Sequence, residues 1–332
     1  MRAAVYARPG DPDVIEIRDV PAPEPGPDDV TIEVAYAGLN RADLLERMGR
    51  YGPPVAARGP AIGGLEYSGT VVARGRNVHD IALGERVFGI VGGGAHAEQV
   101  VTDARSAMRL PDALSLEAAA AIPEAFITAW DALFRLGGFA LGSTLVVHAA
   151  GSGVGLAAIA LAKRAGGFVL GTSRTPEKLE RLRALGLDAG VALDGDWPAA
   201  VRALGRGRGA DLILDLVGAP VLARNLEALA TGGRIVQVGT LGGASGTFSL
   251  APLMAKRATL VGTVLRARPL NEKIALARDF AARIVPLFAN GRLAPIVDRT
   301  FALADLADAH RYLESNANFG KVLIAVRGDA SR

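Results

Sequence analysis

The sequence predicts a two-domain α/β fold, a small β-rich domain joined to a doubly wound parallel-sheet domain. Three observations predict it. A chain of 332 residues is longer than one ordinary core accommodates and comfortable for two. Its N-terminal part reads as short alternating strands broken by proline and glycine. From Thr144 onward, apolar strand-like runs alternate with helical segments, the rhythm of a parallel sheet closed by right-handed crossovers.

The elements follow in order. Val14–Ile17 and Val30–Ala35 alternate apolar and polar residues in the manner of strands, with Val20–Asp29 as the connecting loop. The stretch YGPPVAARGPAIGG, between Arg50 and Leu65, is too rich in proline and glycine for helix or central strand. Leu65–Val72 and Glu85–Gly89 read as further strands between glycine turns. Ser115–Gly138 is alanine-rich and favours helix, with Pro123 inside it. Strands are then expected at Thr144–Ala149, Phe168–Thr172, Ala189–Leu193, Asp211–Leu216 and Arg234–Gly239. The helices between them are Val154–Arg164, Pro176–Leu185, Trp197–Leu204 and Val221–Leu229. Pro269–Asn290 reads as helical, and Ala304–Glu314 as a last helix before the strand Lys321–Val326.

Composition narrows the function. The chain is 50% hydrophobic, carries 41 glycines and has only 5% aromatics, as a packed α/β protein does. With no cysteine, it can form no disulfide, thiolate zinc site or thiol nucleophile. The net charge is +3, but Arg and Lys are interleaved with Asp and Glu. No basic stripe with aromatic platforms forms, so no nucleic-acid partner is expected. The N-terminus has no apolar signal core, and Ala118–Ile122 and Leu156–Ala162 are far short of a membrane span. The expectation is a cytoplasmic protein with no membrane partner.

The strongest local motif runs from Val146 to Ala158. An apolar strand enters a glycine-rich turn, Ser152-Gly153-Val154-Gly155, which opens a helix. Gly153, Gly155 and Ala158 give a G-x-G-x-x-A fingerprint, which lets a backbone approach a pyrophosphate at a helix N-terminus. The plainer alternative is a tight turn in a non-binding α/β protein. The end of the next strand bears on cofactor type. An NAD site usually places an acid there to hold the ribose hydroxyls. Here Ser173, Arg174 and Lys178 can receive a 2′-phosphate, and no acid stands at the strand end. Arg174 and Lys178 also fit as solvated residues at a helix start, beside Glu177. NADPH is the cofactor expected.

Gly38-Leu39-Asn40-Arg41-Ala42-Asp43-Leu44, Gly64-Leu65-Glu66-Tyr67-Ser68-Gly69 and the glycine turn together resemble a known family. It is the zinc-free quinone oxidoreductase (zeta-crystallin-like) branch of the medium-chain dehydrogenases/reductases. Ala119-Ala120-Ala121-Ile122-Pro123-Glu124-Ala125 and Asn318-Phe319-Gly320-Lys321 look most similar to its tumour-suppressor-inducible quinone oxidoreductase subgroup. The resemblance runs from Met1 to about Val326. It implies a GroES-like catalytic domain over 1–121, completed by 266–332, and a Rossmann NADPH-binding domain over 122–265. It also implies a homodimer paired through the Rossmann domains, with Ala258–Leu265 as the candidate edge strand.

The resemblance implies site residues as well. Where zinc members carry a cysteine ligand, Asn40 stands here, and Leu65 stands in place of a histidine. His79, His96, His148 and His310 are scattered without metal-binding spacing, so no metal is expected. Asn40 and Tyr51 are implied as the catalytic pair, orienting substrate or nicotinamide. Asn40 otherwise reads as a loop cap and Tyr51 as an aromatic lid. Leu45 replaces a second tyrosine found in some relatives, leaving solvent as a proton source. The cofactor groove would be lined by Asn40, Thr128, Val217, Gly239, Thr240, Leu241, Leu265, Arg266, Asn318 and Lys321. His148, late in a buried strand, reads as a core histidine. The activity implied is NADPH-dependent reduction of quinones. The alternatives are an enoyl or 2-alkenal double-bond reductase and a non-catalytic, crystallin-like NADPH-binding protein.

Overall fold

A computed structural model describes residues 1–51 and 61–327, so most of the proline-rich loop after Tyr51 lies outside the described residues. The chain divides into two compact units, Met1–Ile127 with Leu265–Arg332, and Thr128–Val264.

The first unit opens with β1 (Arg2–Tyr6), β2 (Ile15–Asp19), β3 (Asp29–Leu39) and helix α1 (Arg41–Arg47). β4 (Glu66–Arg74), β5 (Arg86–Ile90), β6 (Gln99–Asp103) and β7 (Met108–Arg109) follow, then α2 (Leu116–Ala120) and the start of α3 (Pro123–Trp130), whose last turn belongs to the second unit. The second unit contains β8 (Thr144–Val147), α4 (Gly153–Arg164), β9 (Phe168–Ser173), α5 (Pro176–Ala184) and β10 (Ala189–Ala192). It continues through α6 (Trp197–Leu204), β11 (Ala210–Asp215), α7 (Ala219–Ala228), β12 (Leu229–Gln237), α8 (Ala251–Ala255) and β13 (Thr259–Gly262). The chain then returns to the first unit with α9 (Leu270–Arg283), α10 (Val285–Ala289), β14 (Val297–Ala302), α11 (Leu306–Glu314) and β15 (Lys321–Ala325).

The first unit is a strongly turned β structure. Its main sheet has the order β14-β15-β3-β4-β5-β7, with β6 also pairing β3 and a separate β1-β2 hairpin. β15 pairs antiparallel with β3, so the C-terminal segment adds a strand to the N-terminal sheet. Val30, Ile32 and Val34 of β3 point into one core with Val71, Val87 and Ile324. Their period of two is what makes β3 half-buried strand rather than helix.

The second unit is a parallel sheet in the order β10-β9-β8-β11-β12-β13. Numbered from its own first strand, that is the 3-2-1-4-5-6 order of a doubly wound dinucleotide fold. The strand order reverses between β8 and β11, whose carboxyl ends flank the glycine-rich turn. Val146, Leu170, Ile213 and Ile235, from four neighbouring strands, pack with Trp197 and Val201 of α6 into its core. Strands enclosed by helices carry near-continuous apolar runs, which is why this half is plain in the sequence.

Several boundaries differ from the sequence reading. Pro12–Val14 form a short 3-10 turn led by a proline, so the strand expected at Val14 starts at Ile15. Ser115–Gly138 is three pieces, because Pro123 starts α3 and a π-helical turn, Asp131–Leu136, ends it. Pro269–Asn290 is two helices, with Pro286 opening the second after a break at Ile284. β1, β6, β7 and β14 have no counterpart in the sequence reading. The first three are short, and β14 mixes charged and apolar residues.

Candidate active site

In the first unit, Asn40 caps α1 where β3 ends. Its backbone N–H donates to Asp43 Oδ2 at 2.7 Å, and Asp43 Oδ1 accepts from Gly64 N at 2.9 Å. The Asn40 side chain is held at both ends. Nδ2 donates to Glu66 Oε1 at 2.9 Å, and Oδ1 accepts from Lys321 Nζ at 2.6 Å. Lys321 also reaches Glu66 Oε1 at 2.5 Å, and Glu66 Oε2 accepts from Glu124 N at 2.7 Å. The Glu66 and Lys321 side chains are 0% and 5% exposed. A buried ion pair of this kind loses hydration, and these added charge-assisted bonds offset that loss. Gly38 makes the space, since a Cβ there would collide with Glu66 Oε1.

Around this network the acids are held back from ionisation. Burial pushes Asp43 up to about 6, although two backbone N–H donors pull it down. Burial, with Glu66 nearby, pushes Glu124 up to about 8. The Tyr51 phenol is raised by burial and then by Glu124, so it stays a hydrogen-bond donor at neutral pH. The Arg266 guanidinium lies 5.1 Å from the Tyr51 ring centroid, in cation–π range. Arg266 also bonds Glu46 Oε1 at 2.6 Å and Gly92 O at 3.1 Å. Thus Asn40 comes together with Lys321, and Tyr51 with Arg266. Asn318 donates to Gly320 O at 2.9 Å, shaping the turn into β15, and Leu265 is a buried apolar residue beside Arg266.

These residues do not fit a zinc ion. Leu65 is apolar and buried, Asn40 offers a carboxamide, and the Glu66 carboxylate beside it is already paired with the Lys321 ammonium. Among the described residues no cluster of three or more His, Asp or Glu is placed to hold a metal.

In the second unit, Ser152 caps α4 through Oγ, which accepts from Gly155 N at 3.1 Å. A Cβ on Gly155 would lie 2.6 Å from Ala150 O, so the helix can start this close to the turn only with glycine. The freed N–H groups of this 12-residue helix end suit a pyrophosphate, as does the absence of any acid in its first turn. β9 ends at Ser173, whose Oγ accepts from Thr175 N at 3.0 Å. Arg174 follows and is exposed, and Lys178 lies one turn into α5. Val217 follows β11, with its N–H donating to Asp215 Oδ1 at 2.6 Å. Gly239, Thr240 and Leu241 form the loop after β12, pinned where Leu241 N donates to Leu216 O at 3.0 Å. Ser152–Gly155, Ser173, Arg174, Val217 and Gly239–Leu241 therefore share the carboxyl edge of this sheet, where the fold places ligands. Thr128 is buried on α3.

Sequence reasoning assigns no role to Glu66, Glu124 or Asp215. Glu66 and Glu124 lie within the Gly64–Gly69 and Ala119–Ala125 motifs, and Gly38 is the available signal for Glu66. Asp215 follows an apolar strand and carries no pattern of its own.

Residues 26–112 match the alcohol dehydrogenase GroES-like domain family, and 153–283 match the zinc-binding dehydrogenase family. The chain is 33% identical to a segment of a phenolphthiocerol/phthiocerol polyketide synthase from Mycobacterium tuberculosis. That alignment covers 98% of the chain but only 15% of the length of the polyketide synthase polypeptide. The crystal structure of an NAD-dependent alcohol dehydrogenase is 34% identical, with a TM-score of 0.88, covering 98% of this chain and 100% of that one. The quinone oxidoreductase of Escherichia coli complexed with NADPH has a TM-score of 0.88 at 26% identity, covering 98% and 100% of the two chains. A GroES-like unit completed by a C-terminal strand, a doubly wound dinucleotide unit and these matches establish that the chain belongs to the medium-chain dehydrogenase/reductase superfamily of oxidoreductases.

Proposed function

We propose that the chain is a metal-independent NADPH:quinone oxidoreductase that reduces quinones or related activated carbonyl compounds. The observation that carries this reading is the buried Lys321–Glu66–Asn40 network. A carboxamide, Asn40, stands where the resemblance puts a zinc ligand, and its side chain is tied up by Glu66 and the Lys321 ammonium. With no Lewis acid to lower an alcohol's pKa, an already electrophilic quinone or enone is the easier substrate. In this reading Met1–Ile127 with the C-terminal return is the catalytic domain, and Thr128–Val264 binds the cofactor.

A dinucleotide held there would supply a hydride, which with one proton from solvent would take a quinone to its hydroquinone. The chain's residues bind and orient. Lys321 and Glu66 fix which way the Asn40 amide points, because Oδ1 must face the ammonium. One Nδ2 hydrogen is spent on Glu66, leaving the other for an acceptor oxygen that gains charge. Tyr51 stays protonated and serves as a second donor, its ring braced by Arg266. Within the first unit, Leu265 and Asn318 would add to the surface beside Arg266 and Lys321.

NADPH is supported by Ser173 and Arg174 at the end of β9 and by the lack of an acid there. Ser152–Gly155 would hold the pyrophosphate, Val217 the adenosine and Gly239–Leu241 the nicotinamide ribose. The similar NAD-dependent alcohol dehydrogenase points to the other cofactor, so the choice is settled by measurement. The polyketide synthase relatives favour a second reading, reduction of a carbon–carbon double bond conjugated to a carbonyl. Following NADPH consumption across a panel of quinones and enones separates the two. Quinone turnover is expected; enone turnover with none on any quinone would overturn the first reading for the second.

A further inference from the structure

The second unit contains a buried polar chain that the chemistry above does not use. His148 follows β8 and is 0% exposed. Its Nδ1 lies 2.7 Å from Thr172 Oγ1, and its Nε2 lies 2.7 Å from Asn225 Oδ1. Asn225 Nδ2 donates to Asp215 Oδ2 at 2.8 Å. Asp215 Oδ1 accepts from Val217 N at 2.6 Å and Gly218 N at 2.9 Å. The Trp197 ring packs edge-on against the imidazole at 4.9 Å, and Arg224 lies over the Trp197 ring.

Chemistry fixes every proton in this chain. The carboxylate of Asp215 can only accept, so Asn225 must present Nδ2 to it and Oδ1 to the histidine. His148 must then carry its proton on Nε2, which leaves Nδ1 to accept from the Thr172 hydroxyl. Burial, assisted by the Arg224 charge, favours this neutral ring, while Asp215 and Asn225 pull the other way. All the bonds point in one direction, toward Asp215, and bonds so aligned strengthen one another.

The members also stand at telling places. His148 precedes Ala149, a non-glycine residue in the left-handed region at φ 50°. That strained residue opens the glycine-rich turn, and such a conformation persists where its surroundings hold it. The next N–H, of Ala150, donates to Thr172 O at 3.0 Å. Thr172 immediately precedes Ser173 and Arg174, and Asp215 grips the amides that lead into α7. One chain therefore ties together the ends of β8, β9 and β11.

We propose that His148, with Thr172, Asn225 and Asp215, is the positioning centre of the dinucleotide cradle. It sets the turn that takes the pyrophosphate and the strand end that reads the 2′-phosphate. These residues are too deeply buried to touch the cofactor, so they act through Ser152–Gly155, Ser173, Arg174 and Val217. The inference rests on the NADPH reading above.

The test pairs Thr172→Val, which keeps the shape and removes the hydroxyl, with Thr172→Ser, which restores it. Dissociation constants for NADPH and NADH are measured by fluorescence titration on protein shown to be folded by circular dichroism. Thr172→Val should weaken NADPH about tenfold, the scale of one lost buried hydrogen bond, and NADH clearly less. With saturating NADPH, kcat on an accepted quinone should stay within about twofold, and Thr172→Ser should bind nearly as wild type. Unchanged NADPH affinity in folded Thr172→Val, or equal losses in both variants, would overturn the proposal. Wild-type protein that binds neither dinucleotide would instead overturn the cofactor reading. Nitrogen-15 NMR of the wild-type imidazoles gives a check free of folding defects and of cofactor. It should show His148 neutral with its proton on Nε2, and a proton on Nδ1 would contradict the chain.

Discussion

At the scale of single residues, the chemistry depends on where charge is kept and where it is withheld. Arg174 is exposed at the end of β9 with no carboxylate paired to it among the described residues. Arg174→Ala should raise the KM for NADPH by roughly 10- to 100-fold, the range of a charge-assisted contact, and leave the KM for NADH little changed. Equal losses for both cofactors would show that Arg174 does not read the 2′-phosphate. Glu124 gives a pH signature. Its carboxyl is raised from 4.5 to about 8, so between those values the folded chain holds a proton that the unfolded chain releases. Stability from this group is present below pH 4.5 and is lost as pH rises through 8. Asp43, raised to about 6, acts in the same direction over a lower window. His96, lowered from 6.5 to about 4, acts oppositely and is finished above 6.5. Wild-type Tm should therefore fall between pH 6.5 and 8, and Glu124→Gln should flatten that fall. An unaltered slope in the variant would show that Glu124 does not set it. Much at this scale is readable from sequence. Small residues in the glycine turn and the basic strand end carry their chemistry in their type. The pairing of Asn40 with Glu66 and Lys321 is not readable, because residues so far apart in sequence meet only when β4 and β15 both join β3.

Among elements, legibility follows burial. β8, β9 and β11 are covered by helices on both faces and read as apolar runs, whereas β6 and β14 are partly exposed and lack a clean period. Prolines decide what the apolar pattern leaves open, moving the start of β2 past Val14 and splitting the helical stretches at Pro123 and Pro286. The join between β3 and β4 is the element on which the first unit's site depends. Gly38 lies on β3 against the Glu66 carboxylate, with no room for a Cβ. Gly38→Ala should push that carboxylate away from Lys321 and Asn40. A loss of about 1–3 kcal/mol in urea unfolding is expected from the overpacking alone. Activity should fall further than stability, since Asn40 loses its orientation. A variant with wild-type stability and turnover would show that this contact is dispensable.

For the whole molecule, the change of rhythm along the chain is what makes both the β-rich part and the parallel sheet legible. The surface of the second unit adds a claim about assembly. β13 is the edge of the six-stranded sheet, and its neighbourhood exposes Leu250, Met254, Leu260 and Val264. An apolar edge strand of this kind is usually covered, and a second copy of the chain is the partner we propose. Wild-type protein should sediment as a dimer, and Leu260→Glu combined with Met254→Glu should sediment as a folded monomer. A monomeric wild type would refute this. The central claim is metal-independent reduction by NADPH, and one assay tests it most directly. Protein freed of metal by chelator is given a quinone with NADPH or NADH, and nicotinamide oxidation is followed. Quinone-dependent turnover that survives chelation and favours NADPH is expected. Turnover that vanishes with chelation and returns only with added zinc, or that favours NADH, would contradict the claim.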